Sequence, residues 1–175
     1  MAGSKFMGGR EYVEISGQAA LEEKPLARDV DAVISLGTLA IPSFSNQGGP
    51  FRKQRGRIHG GLPDKPKLRA ALAALYCALM TDFCIEMLGA RGEIILEGRF
   101  ASNDAFTSSL AALRHPASVL CSQDESGTMR GATALWRLSR GEPVEPARFD
   151  LVAPNAMEQI KSVRQQWSMM LPKHD

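Results

Sequence analysis

The stretch Glu93-Ile-Ile-Leu-Glu-Gly-Arg-Phe-Ala-Ser-Asn103, followed by Asp104, decides the fold class of this chain. Its apolar residues predict a short strand over residues 93–96, and the run after Asn103 predicts a helix over residues 103–113. Between them, Gly98 permits a tight turn where the backbone can approach a ligand closely. A helix that begins at such a turn has unpaired backbone N–H groups, which can bind an anion or a nucleotide.

A second unit of the same kind follows, with a strand predicted over residues 118–121 and a helix over residues 129–138. A strand, a helix and a strand joined by short connections predict a parallel pair with a right-handed crossover. Ligands of such sheets bind at the carboxyl ends of the strands. These ends correspond here to residues 97–99 and 122–127, so the sequence indicates an α/β fold with a site at this edge.

Residues 66–88 predict the longest helix, because leucines recur at three- and four-residue steps and alanines permit close packing. Residues 18–24 predict a short helix, and residues 30–36 are compatible with either a strand or the end of a helix. Residues 37–66, rich in glycine and proline, predict an irregular functional loop. Residues 155–169 predict an amphipathic helix with Asn155 as its N-cap.

The chain divides on this pattern into an N-terminal irregular segment (residues 1–30), an α/β core (31–140) and a C-terminal tail (141–175) with a helix. The first and third parts are short, and the first is expected to belong to the same lobe as the core.

Composition and net charge narrow the classes of function that are expected for this chain. The 175 residues are 44% hydrophobic and 23% charged, with a net charge of +2, so neither a nucleic acid nor a membrane is expected as a partner. A basic cluster at Arg52, Lys53, Arg55 and Arg57 is typical of an exposed loop and lacks the aromatic residues of a single-strand-binding surface. Three cysteines without CxxC spacing and three scattered histidines indicate no disulfide framework and no metal site, and they fit a cytoplasmic protein.

Several segments, in order, resemble the C-terminal part of the FGGY family of carbohydrate kinases. Residues 41–51 (IPSFSNQGGPF) resemble its "LPYLSGERTP" segment, and residues 55–60 (RGRIHG) resemble the "ARG-F-GL" that follows. The helix from Leu68 resembles the family's "RA-LEG-A---R" helix. Residues 97–103 (EGRFASN) resemble the "GGGA-S/N" adenosine segment, and residues 127–135 resemble the closing "ALGAALLA". Met7-Gly-Gly-Arg-Glu11 is similar to a segment that some branches carry earlier in the domain.

The resemblance implies an actin-like, ribonuclease H-like lobe, which is half of an enzyme that transfers the γ-phosphoryl group of ATP to a sugar or polyol hydroxyl. In that enzyme Mg²⁺ holds the phosphates, and an aspartate of the first lobe serves as the base. By the same resemblance, Gly98, Arg99, Asn103 and Gly131 are expected to line the adenosine pocket. An ordinary strand-to-helix turn is the alternative for Gly98, and a helix cap is the alternative for Asn103.

The chain also departs from the family. Gly98-Arg99-Phe100 stands where the family has two or three glycines. Arg99 could stack on adenine, pair with a phosphate, block the nucleotide, or form a salt bridge with Glu97 or Asp104. No Asp-x-Gly-Thr phosphate loop and no catalytic residue are found. We therefore expect this chain to be inactive alone. Its expected partners are ATP, a sugar substrate and either the missing first lobe or, in a homo-oligomer, copies of the same chain.

Two further interpretations remain open. One is a binding module that kept the fold and lost ATP, which Arg99 and Phe100 favour because they stand where the family has glycines. A Rossmann-type domain would require a GxGxxG sequence after a strand, and none is present. Leu36-Gly37-Thr38 offers a second, less favoured, phosphate-binding turn.

Overall fold

A computed structural model describes residues 3–51, 53–123 and 127–171. The helices in these residues are α1 (Gly8–Ser16), α2 (Ala27–Ser35), α3 (Pro66–Met87), α4 (Asp104–Arg114), α5 (Gly127–Ser139) and α6 (Met157–Met170). The strands are β1 (Leu39–Ile41), β2 (Arg57–His59), β3 (Ile94–Leu96), β4 (Val119–Ser122) and β5 (Phe149–Leu151).

Helix α3 forms the centre of the core, as its alanine- and leucine-rich sequence predicts. Every residue from 70 to 80 is buried, and α1, α2 and α4 pack around it. Pro66 begins the helix, and Gly89, at φ +61°, follows its end. By length and composition α3 resembles a membrane span, but 72% of its most apolar window is buried inside the fold. That burial is typical of the core helix of a globular domain.

The parallel pair predicted from the sequence is confirmed: β3 and β4 are parallel, with Ile94 opposite Val119. Helix α4 connects them and packs against the sheet through the buried Val119. The sequence analysis does not predict β5, which pairs antiparallel with β4 and makes the sheet mixed, in the order β3-β4-β5. The prolines around β5 obscured a strand of only three residues that lies at an edge, where proline is tolerated nearby.

The N-terminal residues are more regular than predicted. The prediction of irregular structure is wrong for residues 8–16, which form α1, and the helix predicted over residues 18–24 is only a 3-10 turn, Gln18–Ala20. Residues 30–36 belong mostly to α2, not to a strand. Helix α2 begins where the Asp29 carboxylate accepts a hydrogen bond from the Leu26 N–H at 2.8 Å.

The loop over residues 37–66 contains the antiparallel pair β1–β2, in which Ala40 lies opposite Ile58. Strand β1 is buried, and the indole N–H of Trp167 in α6 donates to the Ala40 carbonyl at 2.9 Å. The basic residues Lys53, Arg55 and Arg57 are exposed, as predicted, and Arg52 lies outside the described residues. The hydrogen bond between Trp167 and Ala40 therefore holds α6 against the loop over residues 37–66.

The predicted cap of the last helix is wrong. Ala156, not Asn155, occupies the N-cap position of α6, and it makes no side-chain cap. The Asn155 amide instead donates to the Ala27 carbonyl and to the Asp31 carboxylate, both at 3.1 Å. Asn155 therefore joins the start of α6 to α2, which is 124 or more residues away in sequence.

A buried ion-pair network holds three helices together. Asp82 of α3 is 2% exposed. Its carboxylate lies 3.1 Å from the Arg114 guanidinium of α4 and 2.6 Å from that of Arg164 of α6. Burial raises the pKa of Asp82, and the two guanidinium groups oppose that rise. Removing the Asp82 carboxylate would leave the two guanidinium groups without this counter-charge. Removing the guanidinium groups would leave the carboxylate unpaired within the core.

Candidate nucleotide-facing surface

The corner between β3 and α4 is built around Gly98. Its φ of +76° lies in the left-handed region, which favours glycine, and the chain then makes a 3-10 turn, Arg99–Ser102, before α4 begins. A Cβ added at Gly98 would meet no protein atom within 4 Å. Glu97, Gly98 and Arg99 are exposed, so the corner lies at an open edge of the sheet and not within the core.

Arg99 points to solvent with its charge unpaired by the described part of the chain. Its guanidinium makes no hydrogen bond or ion pair with residues 3–51, 53–123 or 127–171. Within those residues, Arg99 forms neither of the salt bridges considered from the sequence, with Glu97 or with Asp104. The Asp104 carboxylate accepts a hydrogen bond from the Ala27 N–H at 2.8 Å, and the Glu97 carboxylate lies against Gly127. Arg99 is thus available to contact a ligand at this corner.

Asn103 is engaged within the protein. Its side-chain oxygen accepts a hydrogen bond from the Phe106 N–H at 3.1 Å, which caps α4. Burial raises the pKa of Tyr12, and the neighbouring Asn103 side chain opposes that rise. The bond from Phe106 supports the helix-cap interpretation of Asn103, because its side-chain oxygen is already engaged within the protein.

Phe100 fills the inner side of the corner. Its ring lies 5.9 Å from the ring of Tyr12, edge to face, and 5.0 Å from the ring of Phe106. Such aromatic contacts rigidify a turn. The sequence analysis did not identify Tyr12 as part of this corner, although it follows directly on the Met7–Glu11 motif. Only tertiary packing places α1 beside residue 100.

Helix α5 meets the corner at its first residue. A Cβ at Gly127 would come within 2.3 Å of a Glu97 carboxylate oxygen, so a larger residue there would displace Glu97 from its position beside the helix N-terminus. Gly131 lies one turn further along and is exposed, with no protein atom within 4 Å of an added Cβ. Gly131 therefore does not serve close packing against the sheet. Its remaining predicted role is close approach to a ligand.

A second set of contacts, missed by the sequence analysis, anchors the loop over residues 41–51. Glu11 is 1% exposed, and its carboxylate accepts hydrogen bonds from the Tyr76 hydroxyl and from the Phe44 N–H at 3.0 Å. The Ser43 hydroxyl lies 3.5 Å from the same oxygen. Burial first, and then Glu11, raise the pKa of Tyr76. The sequence signal that could have revealed these contacts was Glu11 itself, the acidic residue at the end of the Met7–Glu11 motif.

The Gly37-Thr38 turn has a structural role. The Thr38 side chain is buried and its hydroxyl donates to the Gly61 carbonyl at 3.2 Å. A groove of about 480 Å³ lies beside it, between the end of α2 and α6, and its only charged lining residue among those described is Glu158. A groove with a carboxylate and no cation does not suit a phosphate.

No group of three or more His, Cys, Asp or Glu side chains within residues 3–51, 53–123 and 127–171 is arranged to hold a metal ion. Cys77 and Cys84 are buried in α3, as predicted, and burial raises the pKa of both thiols. The described residues therefore offer Mg²⁺ no carboxylate cage.

Comparison with known proteins identifies the family to which the chain belongs. The open corner lies at the carboxyl end of β3, the position at which open α/β sheets bind their ligands. Residues 1–146 match the sequence profile of the family described as "Carbohydrate kinase FGGY, C-terminal domain". The chain belongs to this family, and its mixed sheet with packed helices is the ribonuclease H-like fold of that domain.

The fold is also similar to that of a carbohydrate kinase from Novosphingobium aromaticivorans, seen in a crystal structure. The TM-score is 0.79 at 28% sequence identity, and the match covers 94% of this chain. The chain spans only 36% of the length of that kinase. The search of curated proteins found no match.

Proposed function

We propose that this chain is the nucleotide-side portion of the C-terminal lobe of an ATP-dependent sugar or polyol kinase. Family membership supports the reaction class, and the corner at residues 97–99 carries the proposal. Gly98 leaves open space for a base and ribose against the backbone, and beside that space Arg99 presents a guanidinium that no described residue pairs with. Sugar and ATP are the expected substrates of the whole enzyme.

The proposed roles differ among the residues. Gly98 and Gly131 would allow close approach of the nucleotide, and Arg99 would stack on adenine or pair with a phosphate. Asn103 would position the corner through its cap of α4 and would not read the base itself. Mg²⁺ would arrive coordinated by the phosphates, since the described residues hold no suitable carboxylate group.

We further propose that the chain does not phosphorylate sugars by itself and acts in the cytoplasm. Phosphoryl transfer depends on holding both substrates in line, and the chain spans 36% of the kinase that it matches. It contains no Asp-x-Gly-Thr phosphate loop. Incubation with ATP, Mg²⁺ and a panel of ketoses and polyols tests this point. Robust sugar phosphorylation would show that the chain is sufficient and the proposal of inactivity is wrong.

Calorimetric titration with ATP and ADP tests the nucleotide site. We expect measurable affinity that falls roughly 10- to 100-fold in Arg99→Ala, because a charge-assisted hydrogen bond is worth about 1.5–3 kcal/mol. Arg28→Ala is the matched control, since Arg28 is an exposed arginine of α2 on a different element. Equal affinities of the two variants would refute a role for Arg99 in binding.

A second candidate function is a binding module that kept the fold and lost ATP. Two observations favour it: Phe100 occupies the inner side of the corner, and the side-chain oxygen of Asn103 already accepts the hydrogen bond that caps α4. The same titration discriminates between the candidates. Absence of ATP and ADP binding by a folded protein supports the module and contradicts the kinase portion.

A further inference from the structure

Helix α1 holds the loop over residues 41–51 in place. The buried Glu11 carboxylate accepts a hydrogen bond from the Phe44 N–H at 3.0 Å. One position earlier in the helix, the Arg10 guanidinium donates to the side-chain oxygen of Gln47 at 2.9 Å. Two separate points of the loop are therefore attached to neighbouring residues of α1.

The same helix also contacts the candidate nucleotide-facing corner, through Tyr12. The hydrogen bonds within the 3-10 turn of that corner are local. The Ala101 N–H donates to the Gly98 carbonyl at 3.0 Å, and the Asn103 N–H donates to the Phe100 carbonyl at 3.1 Å. These bonds fix the shape of the turn but do not join it to α1. The Phe100 ring makes that contact, because it lies 5.9 Å from the Tyr12 ring, edge to face.

Glu11 and Tyr12 are consecutive residues, so the loop and the corner are attached to one helix at one place. Helix α1 packs along α3, and the Tyr76 hydroxyl of α3 donates to the Glu11 carboxylate. A helix that packs at the density of a protein interior moves as a unit, so a displacement at Glu11 also displaces Tyr12. Contiguous packed elements of this kind carry energetic coupling between separate sites.

We infer that Tyr12 is a positioning residue of the nucleotide-facing corner, and that α1 couples this corner to the loop over residues 41–51. Tyr12 acts through Phe100, whose ring sets where Gly98 and Arg99 lie. A nucleotide at the corner restrains Phe100 and so, through α1, reduces opening of the loop. Because coupling between two sites is reciprocal, loosening the loop weakens nucleotide binding. The inference rests on the proposed function for the identity of the ligand.

Hydrogen–deuterium exchange followed by mass spectrometry tests the coupling on the full chain without nucleotide. Glu11→Gln weakens the attachment of the loop, and Tyr12→Ala removes the ring that contacts Phe100. We expect each substitution to speed exchange about 3- to 10-fold in both segments, residues 41–51 and residues 98–103, because the lost contacts have free energies of that order. Tyr12→Phe keeps the ring, and its exchange should stay within about twofold of the unmodified chain.

Asp82→Asn is the matched control, because it removes a buried contact at a distant place. Asp82 contacts Arg114 at the end of α4, about 15 Å from the corner at which α4 begins. Local opening does not require global unfolding, so this variant should leave exchange in both segments unchanged. Circular dichroism establishes that each variant folds. Unchanged exchange of residues 98–103 in Glu11→Gln, or an equal increase in Asp82→Asn, would overturn the inference.

Addition of ADP then tests the functional consequence. ADP should slow exchange of residues 41–51 in the unmodified chain and in Tyr12→Phe, but not in Tyr12→Ala. Calorimetry should show ADP binding about 3- to 10-fold weaker in Glu11→Gln and unchanged in Asp82→Asn. Linked exchange of the two segments in a chain that binds no ADP would refute the proposed function and keep the coupling. Binding of ADP with no change in loop exchange would keep the proposed function and refute the coupling.

Discussion

The buried carboxylate of Glu11 provides the most stringent test of how the loop over residues 41–51 is held. We consider Glu11→Gln, which keeps the shape of the side chain and removes its charge. In the native protein the carboxylate accepts from the Phe44 N–H at 3.0 Å and from the Tyr76 hydroxyl. Both donors contact the same carboxylate oxygen, so the single acceptor oxygen of a glutamine can keep both hydrogen bonds, and what the substitution removes is the charge that strengthens them.

The magnitude follows from these contacts. A hydrogen bond to a charged group contributes about 1.5–3 kcal/mol, and one between neutral groups contributes about 0.5–1.5 kcal/mol, so each of the two hydrogen bonds should lose about 1–1.5 kcal/mol. We therefore expect Glu11→Gln to lower the free energy of unfolding by about 2–3 kcal/mol. That is a large share of the roughly 5–15 kcal/mol typical of a domain.

Urea denaturation followed by circular dichroism measures this change. With a slope of about 2 kcal/mol per M, the midpoint should fall by about 1–2 M. Glu14→Gln is the matched control, because Glu14 is an exposed residue of the same helix and should change stability by less than about 0.5 kcal/mol. A cycle with Tyr76→Phe should give a coupling energy of about 1 kcal/mol or more. Equal effects of the two glutamine substitutions, or no coupling to Tyr76, would refute the reasoning.

Three further outcomes are expected. Asp82→Asn should lower the free energy of unfolding by about 3–5 kcal/mol in thermal or urea unfolding, because it removes the buried counter-charge of Arg114. Glu86→Gln changes an exposed partner of the same arginine and should lower it by less than about 1 kcal/mol. Since burial and Glu11 raise the pKa of Tyr76 above its ordinary value of 10.0, the unfolded state ionises first, so stability should fall as pH rises above about 10, and this part of the fall should disappear in Tyr76→Phe. A maleimide should label Cys121, which is half-buried, before Cys77, which is buried, and labelling of Cys77 at the same rate would contradict the structure.

Local sequence was sufficient for the elements whose signals are contained in a few consecutive residues. The alanine and leucine periodicity predicted α3 to within one residue of its end. The strand–glycine–asparagine pattern of residues 93–103 predicted β3, the turn at Gly98 and the start of α4. Helix periodicity, glycine turns and caps act through neighbours in the chain, so they can be recognised without a fold. The order of the family's motifs identified the family for the same reason.

Tertiary structure decided what those elements contact. Residues 30–36 became a helix, and three residues at 149–151 became a strand, because packing partners far along the chain select between conformations that local sequence leaves nearly equal in energy. The same long-range contacts bury Glu11 beneath the loop, place Asn103 beside Tyr12, and leave Arg99 at the surface without a charge partner among the described residues. Burial and hydrogen-bond satisfaction depend on segments tens of residues apart, and such distances are set only when the chain has folded.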